Sequence, residues 1–183
     1  MTAPLRKQKP DSTTYTRQPE TETLITILAQ LGRDEILARC AIRQRADPQY
    51  VSSECLLHVV RASRADNSNA WFERLYKILY DRVLRALPRA DAADGETSSL
   101  TQELIRDLAS ERFVEMLAAD RQDYEERLDF FEIRFDMALK RLRLDAQKQA
   151  WRDENRNRPL EYDEANGELD PEIEMAAGSL NPF

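Results

Sequence analysis

Apolar residues recur at every third or fourth position through most of the chain, which is typical of helices that bury one face. Gly32, the pair Asp47-Pro48 and several polar stretches interrupt this pattern and predict where individual helices end. Ser52 or Ser53 is the expected N-cap of the third helix. The pattern predicts six helices, over about residues 24–31, 33–45, 53–64, 68–87, 99–119 and 128–155.

The composition supports a helical fold class. Of the 183 residues, 42% are hydrophobic and only 4 are Gly, so the chain has enough apolar side chains for a core and few strand or turn signals. We therefore expect an all-α protein in which residues 20–158 form a compact helical bundle. Residues 20–66 supply its N-terminal helices and 67–158 its longer ones. Residues 1–19 are polar, contain three prolines and are expected to be disordered.

The charges are distributed unevenly along the chain. The formal net charge is −7, and residues 159–183 account for all of it with seven acidic residues and no Lys or Arg. Residues 134–158 have the opposite bias, with eight Lys or Arg against four Asp or Glu. The sequence thus predicts an acidic tail after a locally basic helix, and local charge matters more than total charge for docking on phosphates.

Few residues suggest catalysis. His58 is the single histidine and has Glu54 one turn before it, a pair that we interpret as a local hydrogen bond or ion pair. Cys40 and Cys55 lack metal-ligand spacing and are expected to be reduced thiols in the core. The sequence contains no phosphate-loop, nucleophile-elbow or zinc-helix motif. We therefore expect no enzyme activity, metal or cofactor, in a cytoplasmic protein without a membrane helix or signal peptide.

Acidic residues form a stripe on the fifth predicted helix. Asp107, Glu111 and Glu115 are spaced by four and therefore share one face. This face is either simply solvated or a surface on which another protein docks. A second acidic set follows and is interpreted in the same way; it consists of Glu125, Glu126, Asp129, Glu132 and Asp136.

Basic residues form a stripe on the sixth predicted helix. They are Arg134, Lys140, Arg141, Arg143, Lys148 and Arg152. Such a stripe either solubilises an exposed helix or contacts a nucleic-acid backbone. Tyr124, Phe130 and Trp151 are candidates for stacking on bases, although aromatic residues at helical spacing more often lie in a core.

Three segments resemble region 2 of bacterial RNA polymerase sigma factors, in particular those of the extracytoplasmic-function type. The first runs from Trp71 to Arg85 and is similar to the first helix of that region. The second is residues 107–113, with the sequence DLASERF, and is similar to the segment that binds the clamp helices of the largest polymerase subunit. The third, from Ile133 to Arg143, resembles the helix that meets the upstream hexamer of the promoter.

The resemblance implies a non-catalytic function in transcription initiation. It places Asp107, Glu111, Arg112 and Glu115 on a helix that binds RNA polymerase core. It also places the basic residues of the sixth helix next to promoter DNA, which is the second partner it implies. When polymerase is absent, the acidic tail is expected to cover this basic stripe.

Two features favour an alternative, in which a sigma-like helical fold acts as a protein–protein adaptor without DNA binding. Asp136 and Lys140 stand where the family usually has Asn and Asp, and a carboxylate near phosphates repels them. Only 25 residues follow Arg158, they are acidic and contain three prolines, so no helix-turn-helix domain is expected there. Neither the target promoters nor the oligomeric state follows from the sequence.

Overall fold

The computed structural model describes residues 4–66, 69–88 and 100–156. Within these ranges the protein is all-helical, as predicted, and its only β-type pairing is one antiparallel bridge between Gln8 and Thr14. Two 3₁₀ turns, Ser63–Asp66 and Glu126–Leu128, lie between helices. The seven described α-helices are α1 (Pro19–Leu28), α2 (Arg33–Ala41), α3 (Ser53–Ala62), α4 (Asn69–Ala86), α5 (Leu100–Gln122), α6 (Asp129–Ile133) and α7 (Phe135–Arg156).

The chain divides into two units, residues 1–150 and residues 151–183. The first unit contains all helices up to Ala150 of α7. In the second unit the described residues are 151–156, which form the last turns of α7. The acidic tail predicted over 159–183 lies outside the described residues, and its covering of the basic stripe stays a prediction.

Helix α3 lies at the centre of the first unit and contacts α1, α4, α5 and α6. It starts where predicted, because the Ser52 side chain accepts a hydrogen bond of 3.4 Å from the Cys55 amide at the first turn. Leu56 and Leu57 are completely buried among the neighbouring helices. Cys40 and Cys55 are buried free thiols, as expected.

Helices α4 and α5 agree with the predicted helices over 68–87 and 99–119, although the predicted starts at Ser68 and Ser99 lie outside the described residues. The inward side of α4 repeats every four residues, which is the spacing of one helical face. It carries Trp71, Leu75, Leu79 and Val83. The core side of α5 carries Ile105, Ala109, Phe113, Met116 and Leu117.

The sixth predicted helix is wrong as a single helix, because the chain breaks at Arg134. This residue has φ −150° and ψ 77°, which ends α6 before α7 begins. The Phe135 amide, freed by the break, donates a hydrogen bond of 3.0 Å to Oε1 of Glu54 on α3. The break lets Phe131 and Phe135 both pack on Phe113, with ring centroids 5.4 and 6.0 Å away. Tertiary packing thus overrides local helix propensity here.

The disorder expected for residues 1–19 does not describe residues 4–18, the N-terminal segment, which pack on the helices of the first unit. Leu5 and Arg17 are buried, and α1 already begins at Pro19. The amides of Arg6 and Lys7 each donate a 2.8 Å hydrogen bond to Oδ2 of Asp129. The polar composition predicted disorder incorrectly, because backbone amides of this segment form hydrogen bonds with a buried carboxylate of the distant helix α6.

Candidate functional site

The exposed side of α5 carries the predicted acidic stripe. Asp107, Glu111 and Glu115 are all solvent-exposed. Leu104, which is 43% exposed, extends the same face towards the start of the helix. None of the three carboxylates forms an ion pair with another described residue, in contrast to Glu73, which pairs with Lys77 at 2.7 Å. None of the three therefore has an ion-pair partner among the described side chains, although the charge of Glu115 acts on the guanidinium of Arg127.

Arg112, the fourth residue predicted to bind polymerase, lies between α5 and α7 rather than on the acidic face. It is half-buried, and its guanidinium donates a hydrogen bond to the side-chain oxygen of Gln149 on α7. The structure thus places the three acidic residues together on the outside and uses Arg112 to join two helices.

The predicted basic residues lie mainly along α7. Lys140, Arg141 and Lys148 are exposed and Arg143 is half-buried, and none of them pairs with a described carboxylate. Arg134 is exposed at the break before α7, where Nη1 lies 3.5 Å from the sulfur of Met137. The sixth member of the set, Arg152, is exposed and belongs to the second unit.

Asp136, at the start of α7, is compensated by a nearby arginine. Its Oδ2 lies 3.2 Å from Nη2 of Arg45, in the connection between α2 and α3. Two apolar side chains of α7, Met137 and Leu144, are 53% and 40% exposed between the basic residues. The exposed side of α7 is consequently both basic and apolar.

Two of the aromatic candidates for base stacking already have contacts inside the first unit. The Tyr124 ring lies between the guanidinium groups of Arg6 and Arg61, at 4.2 and 4.5 Å from its centroid. Phe130 packs edge-on against Tyr15, with centroids 6.4 Å apart. Both residues are half-buried, and their rings are already engaged in contacts within the protein. Trp151, which is 52% exposed, lies in the second unit.

The solvated acidic face expected for the second acidic set is wrong for Asp129 and Glu132. Both are almost fully buried, with 0% and 1% of their surface exposed. Nη1 of Arg61 lies 2.9 Å from Oδ1 of Asp129 and 2.6 Å from Oε1 of Glu132. Buried charges of this kind persist only where they are paired, and these carboxylates find arginines from α3 and the N-terminal segment.

The remaining contacts complete a buried ionic network. Nε of Arg17 lies 2.7 Å from Oε2 of Glu132, and Nδ1 of His58 lies 3.0 Å from the same oxygen. Nη2 of Arg61 also reaches Oδ1 of Asp120 at 2.9 Å. The prediction that His58 pairs with Glu54 is therefore wrong, since Glu54 binds the Phe135 amide instead.

The network shifts the acidities of its members. Burial raises the pKa of Glu132, but His58, Arg17 and Arg61 lower it more strongly, to about 2. Burial lowers the pKa of Arg61, yet its contacts with Asp120, Glu132 and Asp129 outweigh burial and raise it. Burial, with the hydrogen bond to Asp129, raises the pKa of Tyr124 to about 12. Arg61, Glu132 and Tyr124 thus keep their usual charge states at neutral pH.

A sequence signal for this network exists but is weak. Asp129 and Glu132 lie three positions apart, and each directly follows a buried apolar residue, Leu128 and Phe131 respectively. They therefore fall among core positions of a helical pattern. The matching arginines, Arg17 and Arg61, are far away in the sequence, and nothing local identifies them.

A cleft of about 920 Å³ opens beside the network. It lies between α1 and the end of α3, with part of the N-terminal segment and the end of α5 along its sides. His58, Arg61 and Glu132 are among its lining residues.

No protein family, characterised protein or solved structure matches this chain. The described residues contain no group of three or more His, Cys, Asp or Glu side chains placed to hold a metal ion. No helix in the described ranges is both long and apolar enough to cross a membrane.

Proposed function

We propose that this protein is a sigma-like, non-catalytic transcription protein that binds RNA polymerase core through the acidic face of α5. One observation carries the proposal: α5 exposes an acidic stripe and α7 a basic one, and neither stripe forms an ion pair with a described side chain. Promoter DNA is the second partner, approached by the basic side of α7. The residue pattern similar to sigma region 2 supports the choice of these two partners.

The acidic face of α5 suits docking on a basic protein surface. Asp107, Glu111 and Glu115 present three carboxylates in a row, and Leu104 adds an apolar contact at one end. Charge complementarity of this kind mainly raises the association rate and the specificity of a complex. Leu104 supplies apolar area that is lost from water when the partner binds.

The basic side of α7 suits contact with phosphates. Lys140, Arg141 and Lys148 are exposed without a described acidic partner, so they can replace counterions on a nucleic-acid strand. Asp136 is less repulsive than its charge alone suggests, because Arg45 lies 3.2 Å from it.

The alternative is a helical adaptor that binds a protein and no DNA. It is favoured by Met137 and Leu144, which are one heptad apart and together expose apolar surface on α7. Exposed apolar side chains in line on a helix are typical of protein interfaces rather than of phosphate contacts.

The test is retention of purified RNA polymerase core on the tagged full chain, compared with the Asp107→Arg/Glu111→Arg variant. Because both residues are exposed and unpaired, the double reversal leaves folding nearly unchanged, which a thermal melt checks. The matched control is Glu20→Arg/Asp34→Arg, which changes the net charge equally at exposed positions of α1 and α2. We expect retention by the wild type and the control, and loss with the α5 variant. Equal retention by all three variants, or by none, contradicts the proposal.

DNA binding is tested separately with a labelled single-stranded oligonucleotide in the presence of core. Lys140→Gln/Arg141→Gln is expected to weaken binding and to reduce its salt dependence by about 0.7 in log–log slope for each lost phosphate contact. Arg74→Gln/Lys77→Gln on α4 is the matched control, since both side chains are exposed. Core retention without any effect of the α7 variant on DNA binding favours the adaptor.

A further inference from the structure

The cleft beside the ionic network has the dimensions of a small-molecule site. Its volume of about 920 Å³ falls within the range of about 300–1,000 Å³ that is usual for ligand pockets. One wall is α1, with Ile25 and Ala29, and the opposite wall is the end of α3 and the following turn, with Ala62 and Ala65. Small and apolar side chains thus contribute to both walls, together with the polar Thr26 and Gln30 on the α1 side.

The acidic residues along this cleft are already neutralised. Glu132 is shared between Arg17, Arg61 and His58, and Asp120 pairs with Arg61. A cation in the cleft would have to compete with guanidinium groups that approach these carboxylates to 3.1 Å or less. The acidic lining residues therefore do not favour a cationic ligand.

Two arginines along the same cleft have no such compensation. Arg6 and Arg64 both line it, and neither forms an ion pair with a carboxylate whose side chain the structure describes. Both approach the end of α5: the Arg6 guanidinium lies 4.2 Å from the centroid of the Tyr124 ring, and Nη1 of Arg64 donates to the Asp120 carbonyl at 2.6 Å. Each retains further N–H groups, because a guanidinium has five.

We propose that this cleft binds a small organic anion whose oxyanion group lies between Arg6 and Arg64 and whose apolar part packs on Ala29, Ala62 and Ala65. The positive charges of Arg6 and Arg64 favour an anionic ligand, and the apolar side chains of the two walls favour a ligand with an apolar part. Arginine suits either a carboxylate or a phosphate, because its planar fork matches both groups.

Binding also acts on the N-terminal segment. Arg6 belongs to this segment, and the amides of Arg6 and Lys7 hold it next to the cleft through hydrogen bonds to Asp129. A ligand that bridges Arg6 and Arg64 ties the segment to α3. Trypsin cleavage after Arg6 and Lys7 is therefore expected to slow when the cleft is filled, because a ligand stabilises the folded state to which it binds.

The first experiment is a fluorescence titration of the full chain with 8-anilinonaphthalene-1-sulfonate, an aromatic anion. We expect saturable binding of one equivalent. Arg6→Gln/Arg64→Gln is expected to weaken it about tenfold or more, since each charged hydrogen bond contributes roughly a factor of ten. Arg33→Gln/Arg74→Gln on α2 and α4 is the control and is expected to leave the affinity unchanged.

A second variant tests the location without altering charge. Ala62→Phe fills the cleft from an exposed position of α3 and is expected to abolish binding, whereas Ala70→Phe at an exposed position of α4 is not. Thermal melts confirm that each variant is folded. Binding that is not saturable, or that both Phe variants leave intact, overturns the proposal.

A competition experiment distinguishes a carboxylate ligand from a phosphate ligand. 1-Naphthoate and 1-naphthyl phosphate share one apolar body, and 1-naphthylmethanol is the neutral control. Displacement by either anion but not by the alcohol supports the proposal, and the stronger competitor identifies the group. Equal displacement by all three overturns it, because the arginines then contribute nothing. The outcome is independent of the proposed polymerase binding, which uses the acidic face of α5.

Discussion

Arg61 and Glu132 lie 71 positions apart in the sequence, yet Nη1 of Arg61 is 2.6 Å from Oε1 of Glu132 in the buried interior. The same arginine also reaches Asp120 and Asp129, so it is the cation on which three buried carboxylates converge. Helix α3, helix α6 and the end of α5 are thereby held together by charge as well as by apolar packing.

Removal of the Arg61 guanidinium is expected to destabilise the fold strongly. In Arg61→Met the buried carboxylates lose their shared partner, and breaking one side of a buried ion pair costs about 3–5 kcal/mol. Urea unfolding followed by circular dichroism measures this loss. Arg74→Met, on an exposed side chain of α4, is the control and is expected to change stability by less than about 0.5 kcal/mol. Equal midpoints for the two variants would contradict the central position of Arg61.

Stability is expected to fall with acid through Glu132. Its pKa is about 2 in the folded protein, against about 4.3 in an unfolded chain, so its contribution is complete above pH 4.3 and is lost as the pH falls towards 2. The difference corresponds to a contribution on the order of 3 kcal/mol at neutral pH. Glu132→Gln is expected to unfold more readily at pH 7 and to show a shallower decline between pH 4.5 and 2. Urea unfolding midpoints of both proteins are measured at each pH. If the midpoints of the wild type and of Glu132→Gln decline in parallel as the pH falls, Glu132 is not the source of the acid sensitivity.

Glu54 is expected to stabilise the start of α7 from outside that helix. Its carboxylate accepts the hydrogen bond from the Phe135 amide at 3.0 Å, as a capping side chain does. Glu54→Ala should cost about 1 kcal/mol, and Glu54→Gln less, because the amide oxygen remains an acceptor. Chemical unfolding measures both. If the two variants are equally stable, the hydrogen bond to Phe135 contributes nothing.

Both thiols are expected to be unreactive in the folded protein. Burial raises the pKa of Cys40 and of Cys55 to about 11, so almost no thiolate is present at pH 8, and neither sulfur is exposed. Titration with Ellman's reagent should detect two thiols only after urea is added. Rapid reaction of either thiol without urea would show that the core around α3 opens readily.

The main helices were predictable because their information is local. The apolar spacing over Trp71, Leu75, Leu79 and Val83 belongs to one face of one helix, and α4 has that face in the core. Ser52 likewise indicates the start of α3 through a hydrogen bond that spans three residues. The exposed acidic stripe of α5 follows from the same periodicity, since the opposite face is apolar.

The break at Arg134 and the buried network were not predictable, because they depend on partners far along the chain. Phe135 begins a new helix where Glu54, 81 positions earlier, receives its amide. Asp129 and Glu132 have the same local pattern as solvated acids, and only Arg17 and Arg61 make their burial tolerable. A sequence without aligned relatives does not reveal such pairs.

The long separations within the ionic network also constrain the order of assembly during synthesis. Residues leave the ribosome from the N-terminus at about 5–20 per second, so Arg17 and Arg61 emerge several seconds or more before Glu132. Asp129, which binds the Lys7 amide of the N-terminal segment, is made 122 positions after Lys7. Until then Arg61 on α3 lacks the two carboxylates of α6, and the ionic contacts of the early helices are complete only when α6 has been made.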